Sequence, residues 1–582
     1  MNLFEYYADH LSHCLQTLVD QEVVPADAPL DRATIDSPRD ESHGDLALNA
    51  AMVLAKPAGM KPRDLAEKIA EDVRAWPHVA GVELAGPGFI NVRLADSIWG
   101  ELIHSIIADP EHFGTSRSGQ GKRVNVEYIS ANPTGPLTIA HARNAVLGEV
   151  IANLLEATGH EVTREFYLND AGNQVDVMAR STYLRYREAF GESVEIPKGA
   201  YPGAYLKDVA QALKARDGDK WLAETDEAKW LAPIRRFAID YMVEEMRREL
   251  EEFGIKQLIS SEAELLEKGA VDAAIQTLEE RGLLYRGVLE PPKGKKPDDW
   301  EPREQLLFRS TDFGDDVDRP LRKSDGTNTY FANDIAYHLD KFERGGDGMV
   351  HVLGEDHKGY VKRIAAAVNA ITDGKCDYQA VVYSIVRVFK GGEEVRMSKR
   401  SGTFVLLSDV VDQVGGDALR FTILTRRSEA VIDMDLDKVV EQSNDNPVFY
   451  VQYANARVHS VFRNVAESLP DLAVTDSALV SSDVTLLTTP AELKMLRLLA
   501  QYPRMVEQAA QAREPHRVVF YLMDLAAAFH SLWSSRNDET LYRFISVENQ
   551  PLTLARLALI RAVSVTITAG LKLIGAEPRT EM

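Results

Sequence analysis

Apolar positions recur every three to four residues over 62–73 and again over 141–158, the spacing of one helical face. In the second stretch Ala145, Gly148, Ile151, Leu154 and Leu155 line that face, and Gly159 ends it. A glycine-proline turn at 86–88 feeds an alternating strand that runs to Leu94. Short strand patterns follow at 124–129, 348–353 and 379–388, and a charged helical stretch covers 229–254. From 412 onward nearly every segment has helical spacing with short breaks, which predicts a bundle. The turn-rich stretch 115–121 closes a first region of mixed helical and strand-like pieces. Three domains are therefore expected: α+β over 1–117, α/β over 118–411 and all-α over 412–582. Strand–turn–helix order in the middle region predicts a Rossmann-like parallel sheet, with nucleotide at the strand ends.

A chain of 582 residues exceeds one ordinary core, in keeping with several domains. Its 45% hydrophobic and 27% charged residues are those of a soluble globular protein. The first residues lack the basic start and apolar run of a secretory signal. The apolar stretch 552–574 is broken by Arg556, Arg561 and Lys572, which fits an amphipathic helix better than a membrane crossing. A cytoplasmic location and no membrane partner are expected. Cys14 and Cys376 are the only cysteines, so no thiolate zinc site and no other metal centre is expected. A net charge of −23 opposes nucleic-acid binding on average but not in a local patch. Cations such as Arg420, Arg426, Arg427, Arg457 and Arg463 suit a solvated helical surface or an RNA face equally well. The lysine-rich loop 291–297 reads as exposed surface.

Two segments carry candidate chemistry. SANPTGPLTIAHARN at 130–144 follows a strand and opens a helix, and VRMSKRSGTF at 395–404 is a basic loop. Such a loop, with Arg396, Lys399 and Arg400, can close over a triphosphate and stabilise charge on the departing pyrophosphate. Asn125 and Glu127 interrupt a strand expected to be apolar on both faces. Either Glu127 faces solvent, or it is enclosed and needs a cationic partner. No lysine or arginine is held against it by the sequence, so a cationic substrate is one candidate. Tyr330 and Asp334 stand four residues apart, on one face of a helix, where an aromatic ring and a carboxylate suit a guanidinium.

The two segments resemble the His-Ile-Gly-His and Lys-Met-Ser-Lys-Ser elements of class I aminoacyl-tRNA synthetases. Further blocks narrow the resemblance to the arginyl-tRNA synthetases: HGDLALN at 43–49, AGPGFIN at 85–91, FYLNDAGNQ at 166–174, STDFGDD at 310–316, HVLGEDHKGY at 351–360, GGDALR at 415–420 and NPVFYVQYANAR at 446–457. The resemblance implies a tRNA-binding N-terminal domain, a catalytic domain and a helical anticodon-binding domain. It further implies ligation of L-arginine to tRNA(Arg) through an arginyl-adenylate, with ATP and Mg²⁺ as co-substrate.

Carried onto this chain, it puts Glu127, Tyr330 and Asp334 on the guanidinium, and Ser130 and Asn132 on the amino and carboxyl ends of arginine. Thr138, Ala140, His141, Gly354, Asp356 and His357 would hold ATP, with Arg396, Met397, Ser398 and Lys399 on its phosphates. His141, Lys399 and Thr138 would be the catalytic set, and Phe89, Asn91, Tyr453 and Arg457 would meet tRNA. The family also implies a monomer, tRNA-dependent activation and no editing domain. Thr138 stands where the family has histidine, Ala140 where it has glycine, and Arg396 where it has lysine. Threonine still forms hydrogen bonds but carries no charge. Two rivals follow: an impaired paralogue that binds tRNA or nucleotide, and a non-enzymatic RNA-binding scaffold.

Overall fold

The computed structural model describes residues 1–38, 40–289, 303–395, 405–441, 446–535 and 543–582. The chain forms two compact units, one of residues 119–441 with 513–516, the other of 1–118, 442–512 and 517–582. Residues 412–441, grouped above with the C-terminal region, lie in the first of these.

That unit is built on a five-stranded sheet of β1 (Arg123–Glu127), β2 (Glu161–Leu168), β3 (Leu258–Ser261), β4 (Gly348–Gly354) and β5 (Asp377–Tyr383). Their spatial order is β5-β4-β1-β2-β3, and every pairing is parallel. The chain thus runs outward from β1 to β3, then crosses back to β4 on the other side of β1. The crevice between β1 and β4 is the topological switch point, where open parallel sheets bind ligands. Helix α1 (Ile139–Ala157) follows β1, α2 (Glu227–Glu252) precedes β3, and α3 (Glu262–Glu267) and α4 (Tyr330–Glu343) lie between β3 and β4 in sequence. Apolar residues of α4, among them Phe331, Ile335 and Leu339, share a core with Met349 of β4 and Ile364.

Most predicted elements appear within one or two residues of their expected bounds. The strand expected over 379–388 is two: β5 stops at Tyr383 and β6 (Val386–Lys390) joins a different sheet. The break falls at Ser384, whose hydroxyl bonds Glu355 (2.6 Å) and the carbonyl of Glu429 (2.8 Å) in place of a strand ladder. In its new sheet β6 pairs antiparallel with β7 (Glu393–Glu394) and parallel with β8 (Ile432–Asp435).

The other unit combines a four-stranded antiparallel sheet (Ile35–Asp36, Leu46–Leu48, Phe89–Leu94, Val79–Ala85 in spatial order) with long helices, among them Leu3–Asp20, Pro62–Val73, Pro447–Ser468 and Gln550–Leu573. Helix Gln550–Leu573 was expected to be amphipathic. It is instead a core helix: Arg556 is buried against Glu492 (2.8 Å) and Arg561 pairs with Asp476 (3.0 Å), so two of its three cations are satisfied by protein. Among the described residues it is the one helix long and apolar enough to cross a membrane, and most of it is buried in the protein.

Gly148 shows how tightly α1 lies on β1. A Cβ there would stand 2.2 Å from the ring of Tyr128, whose hydroxyl donates to Glu149 (2.5 Å). Gly148→Ala therefore overpacks this seam. We expect a loss of about 1–3 kcal/mol in unfolding free energy, read from chemical denaturation. An unchanged midpoint would show that Tyr128 yields without cost.

Candidate active site

Where β1 ends, three polar residues stand side by side in register: His351 in the middle of β4, Glu127 at the end of β1 and Glu165 within β2. Glu127 is enclosed, with 2% of its surface exposed. The cation it needs comes from the protein. Lys341 of α4, itself 2% exposed, sets its ammonium 2.5 Å from Oε2. His351 Nε2 lies 3.2 Å from Oε1, and Ser130 Oγ donates to the same oxygen at 2.7 Å. Burial pushes the Glu127 pKa up, but His351 and Lys341 outweigh it and hold the carboxyl well below its ordinary value. Sequence reasoning missed Lys341. The signal was a lysine seven residues after Asp334, two helical turns along α4, among residues otherwise expected in the core.

Glu165 is held the same way. It accepts from Arg344 (2.8 Å), Ser260 (2.6 Å), Tyr337 (3.0 Å) and Asn125. Burial opposes its ionisation, and the charges and hydrogen bonds of Lys341, Arg344 and Ser260 carry its pKa below normal.

A second pair of carboxylates has no such ion pair among the described residues. Asp334 accepts a hydrogen bond from the Tyr360 hydroxyl, yet burial, with the nearby charges of Glu127 and Glu262, pushes its pKa up to about 7. Glu262, the first residue of α3, is buried; its Oε1 accepts from Asn333 (3.0 Å), while its Oε2 has no partner among the described residues. Its pKa is raised too, by burial first and by Asp170 second. Tyr167, stacked on Tyr337 at 4.0 Å, feels Glu262, Asp334, Glu127 and Asp170 together. The result is an acidic cluster among α3, α4 and β1, in which two carboxylates have raised pKa values. Glu262 was not singled out from the sequence; only its burial marks it.

Tyr330 shares a helical face with Asp334 as expected, but its side chain is 71% exposed. His338 is buried, bonds the Asp334 carbonyl through Nδ1 (2.7 Å), and is driven by burial down to about 3, so it is neutral. Glu127, His338 and His351 bring ligand-type atoms within 4.8 Å of one another. Lys341 already occupies the charge of Glu127, and a divalent ion there would face an ammonium at contact distance. As placed, Glu127 is engaged in an ion pair with Lys341, which opposes a divalent ion at the same carboxylate.

The nucleotide-side residues gather at the start of α1. Thr138 is its N-cap, with extended backbone. Its N–H donates to His141 Nδ1 (2.9 Å), and its hydroxyl lies 3.1 Å from the same nitrogen. Accepting at Nδ1 fixes the neutral tautomer with hydrogen on Nε2. Ala140 is exposed one position before His141, and Asn132 and Ser130 are exposed at the strand end. Across the crevice, Gly354 ends β4 and leads into a turn (Glu355–Tyr360) where Asp356 and His357 are exposed. A Cβ on Gly354 would lie 2.6 Å from Asp356 Oδ1, the end of an exposed side chain that can turn aside. The expected phosphate residues Arg396, Met397, Ser398 and Lys399 lie outside the described residues, as does 291–297.

In the other unit, Tyr453 and Arg457 do come together. The Arg457 guanidinium lies 4.2 Å over the Tyr453 ring and 5.1 Å from Trp533, beside a cavity of about 640 Å³ that Arg463 and Met582 also line. Phe89 is 42% exposed, whereas Asn91, two positions along the same strand, is 5% exposed.

The geometry can now be set beside known proteins. Residues 5–94 match the model of the arginyl tRNA synthetase N terminal domain, 102–460 that of the tRNA synthetases class I (R) catalytic domain, and 451–582 that of the DALR anticodon binding domain. The chain is 52% identical to the arginine–tRNA ligase of Parvibaculum lavamentivorans and 51% identical to that of Ruegeria pomeroyi, covering 100% of each sequence in both cases. It shares its fold with the arginyl-tRNA synthetase of Thermus thermophilus, with a TM-score of 0.71 at 20% identity over 100% of both chains. The enzyme of Plasmodium falciparum gives 0.69 at 15% identity over 100% of this chain and 99% of that one.

The ion pair behind the cluster makes a clear expectation. Lys341→Met leaves buried Glu127 with His351 in place of its ammonium partner and should cost about 3–5 kcal/mol. Adding Glu127→Gln removes the stranded charge, so the double variant should be more stable than the lysine variant alone. Additive losses in a double-mutant cycle would contradict the pairing.

Proposed function

The chain belongs to the arginyl-tRNA synthetase family and catalyses ATP-dependent ligation of arginine to tRNA; from that premise we propose how its residues divide the work. The observation that carries this reading is the acidic cluster at the switch point of the sheet. Asp334 and Glu262 receive the arginine guanidinium, whose planar fork of donors suits two carboxylates. Tyr330, on the same face of α4, closes over the side chain. Glu127, already engaged by Lys341, adds its field from behind and holds Ser130, which with Asn132 orients the amino and carboxyl ends.

ATP, as its Mg²⁺ complex, lies across the crevice. Its adenosine meets Gly354, Asp356 and His357, and packs past Ala140. The Nε2–H of His141 and the N-terminus of α1 face its phosphates. Arg396, Met397, Ser398 and Lys399 supply the basic arm. The arginine carboxylate attacks the α-phosphate, forming the mixed anhydride as pyrophosphate leaves. A ribose hydroxyl at the tRNA 3′ end then attacks the arginyl carbonyl, and AMP leaves. Positioning and electrostatics carry both steps, so no protein nucleophile is required. Tyr453, Arg457 and Trp533 offer a cation and aromatic faces on which an unpaired base stacks, and exposed Phe89 offers a second contact. The enzyme acts as a cytoplasmic monomer in this reading, a proposal supported by the burial of its most apolar helix. The rival of an impaired paralogue finds no support in relatives that share its full length under a ligase name.

Arginine-dependent pyrophosphate exchange, with and without tRNA(Arg), tests the assignment; absence of exchange in both conditions would sink it. Three finer outcomes are expected. Because a guanidinium binds the ionised form of Asp334, the arginine KM should fall about tenfold from pH 6 to pH 8, through the value near 7. A pH-independent KM would remove Asp334 from the pocket. Glu262→Gln should raise the arginine KM roughly ten- to hundredfold, the worth of a charge-assisted hydrogen bond, and leave the ATP KM alone. Lys399→Ala should cut turnover about 10²- to 10³-fold with little change in arginine affinity.

A further inference from the structure

Next to the asparagine that anchors α1 sits an arginine with no acidic partner among the described residues. Arg143 is 0% exposed, yet its guanidinium donates only to backbone carbonyls. Nη1 reaches Ser384 (2.6 Å) and Ile385 (3.3 Å); Nη2 reaches Arg427 (3.0 Å), Ser428 (2.9 Å) and Ala430 (2.7 Å). A cation buried without a carboxylate is costly, and an apolar side chain would fill the space at lower cost. What an apolar side chain cannot do is tie two separate backbone segments to one helix. Ser384–Ile385 is the bend that starts β6, and 427–430 leads into its parallel partner β8. Through these two grips, Arg143 fixes the small β6-β7-β8 sheet to the second turn of α1.

That sheet is the entrance to the basic segment: β7 ends at Glu394, two residues before Arg396 in sequence. The exit is tied to the same helix. Ile139 N donates to Val405 O (3.1 Å) and Leu407 N to Leu137 O (3.0 Å), with Thr138 and Leu406 paired between them. The described residues on either side of 396–404 are thus tied to the first two turns of α1, directly at 405–407 and through β6 at 393–394. Asn144, the next residue, ties α1 to the substrate side, accepting from Ile129 N (2.8 Å) and donating to Val352 O (3.0 Å).

We propose that Arg143 is a positioning residue for adenylate formation, holding the stem of the basic segment in register with His141 and the arginine pocket. The inference rests on the reading that Lys399 acts on the ATP phosphates. Lysine cannot replace it, because one ammonium cannot span two carbonyl groups that diverge from a planar fork.

The test uses the full-length enzyme with tRNA(Arg). Arg143→Lys should lower kcat for arginine-dependent pyrophosphate exchange at least tenfold, raise the ATP KM, and leave the arginine KM within twofold. In a Lys399→Ala background the same substitution should change kcat less than threefold, because its effect passes through that segment. A folded Arg143→Lys enzyme with wild-type kcat would overturn the proposal, as would equal losses in both backgrounds. Should that variant fail to fold, Asp433→Ala serves instead. It removes the exposed Arg387–Asp433 bridge (2.6 Å) that joins β6 to β8 and loosens the same stem from outside. It should lower kcat by a smaller factor at constant arginine KM, and an unaltered kcat would again overturn the proposal. If Lys399→Ala is itself silent, the reading of the basic segment fails; if it is defective while Arg143→Lys is silent, only this inference fails.

Discussion

The site depends on a charge that the fold neutralises from within. A carboxylate at the end of a central strand costs several kcal/mol to dehydrate, and only a close, well-bonded cation offsets that. Lys341 offsets it for Glu127, and Arg344, three residues later on the same helical side, does so for Glu165 on the neighbouring strand. These two contacts set how α4 lies against the sheet. A slip of one residue along α4 would rotate its side chains by about 100° and strand both carboxylates. Asp334 stands two turns earlier on that helix, so its placement at the crevice follows from ion pairs about 10 Å away.

The same economy governs α1. Its adjacent residues Arg143 and Asn144 are both buried and polar, and both spend their donors on backbone carbonyls of other elements. One element therefore references the arginine pocket, the nucleotide turn and the stem of the basic segment to a common frame. Such contacts are sequence-tolerant on the accepting side, since any residue supplies a carbonyl. They are intolerant on the donating side, where the shape of the side chain decides what it can reach.

Much of this was legible in the sequence because local chemistry speaks in local patterns. The helical periods of 62–73 and 141–158 and the strand–turn–helix at 124–144 were set by neighbours a few residues apart. The paired Tyr330 and Asp334 were visible because four residues make one turn. What escaped was long-range. Lys341 reaches Glu127 across more than two hundred residues, and nothing near Glu127 announces it. Glu262 looks like one glutamate in an acidic stretch until its burial is known. The single strand expected over 379–388 breaks because Ser384 bonds Glu355 and Glu429, which lie 29 and 45 residues away. Asn91 was chosen from a matching block and by the period of two shares a strand face with Phe89, yet it is buried where Phe89 is exposed, a difference that the strand pattern does not announce.

The departures at Thr138 and Ala140 gain a physical reading from the cap of α1. Threonine in that place cannot bring charge to a phosphate, but it is a competent N-cap, and its backbone N–H fixes which nitrogen of His141 carries the proton. In the proposed division of work, the charge that meets the triphosphate is thereby left to the helix terminus and to the basic residues of 396–400. The charge proposed to meet arginine is concentrated in Asp334, Glu262 and Glu127. With a net charge of −23 the protein attracts a guanidinium readily and a triphosphate poorly. Cations that serve the phosphates must therefore be placed rather than averaged. That is why the geometry of the stem carrying them matters more here than the number of positive residues.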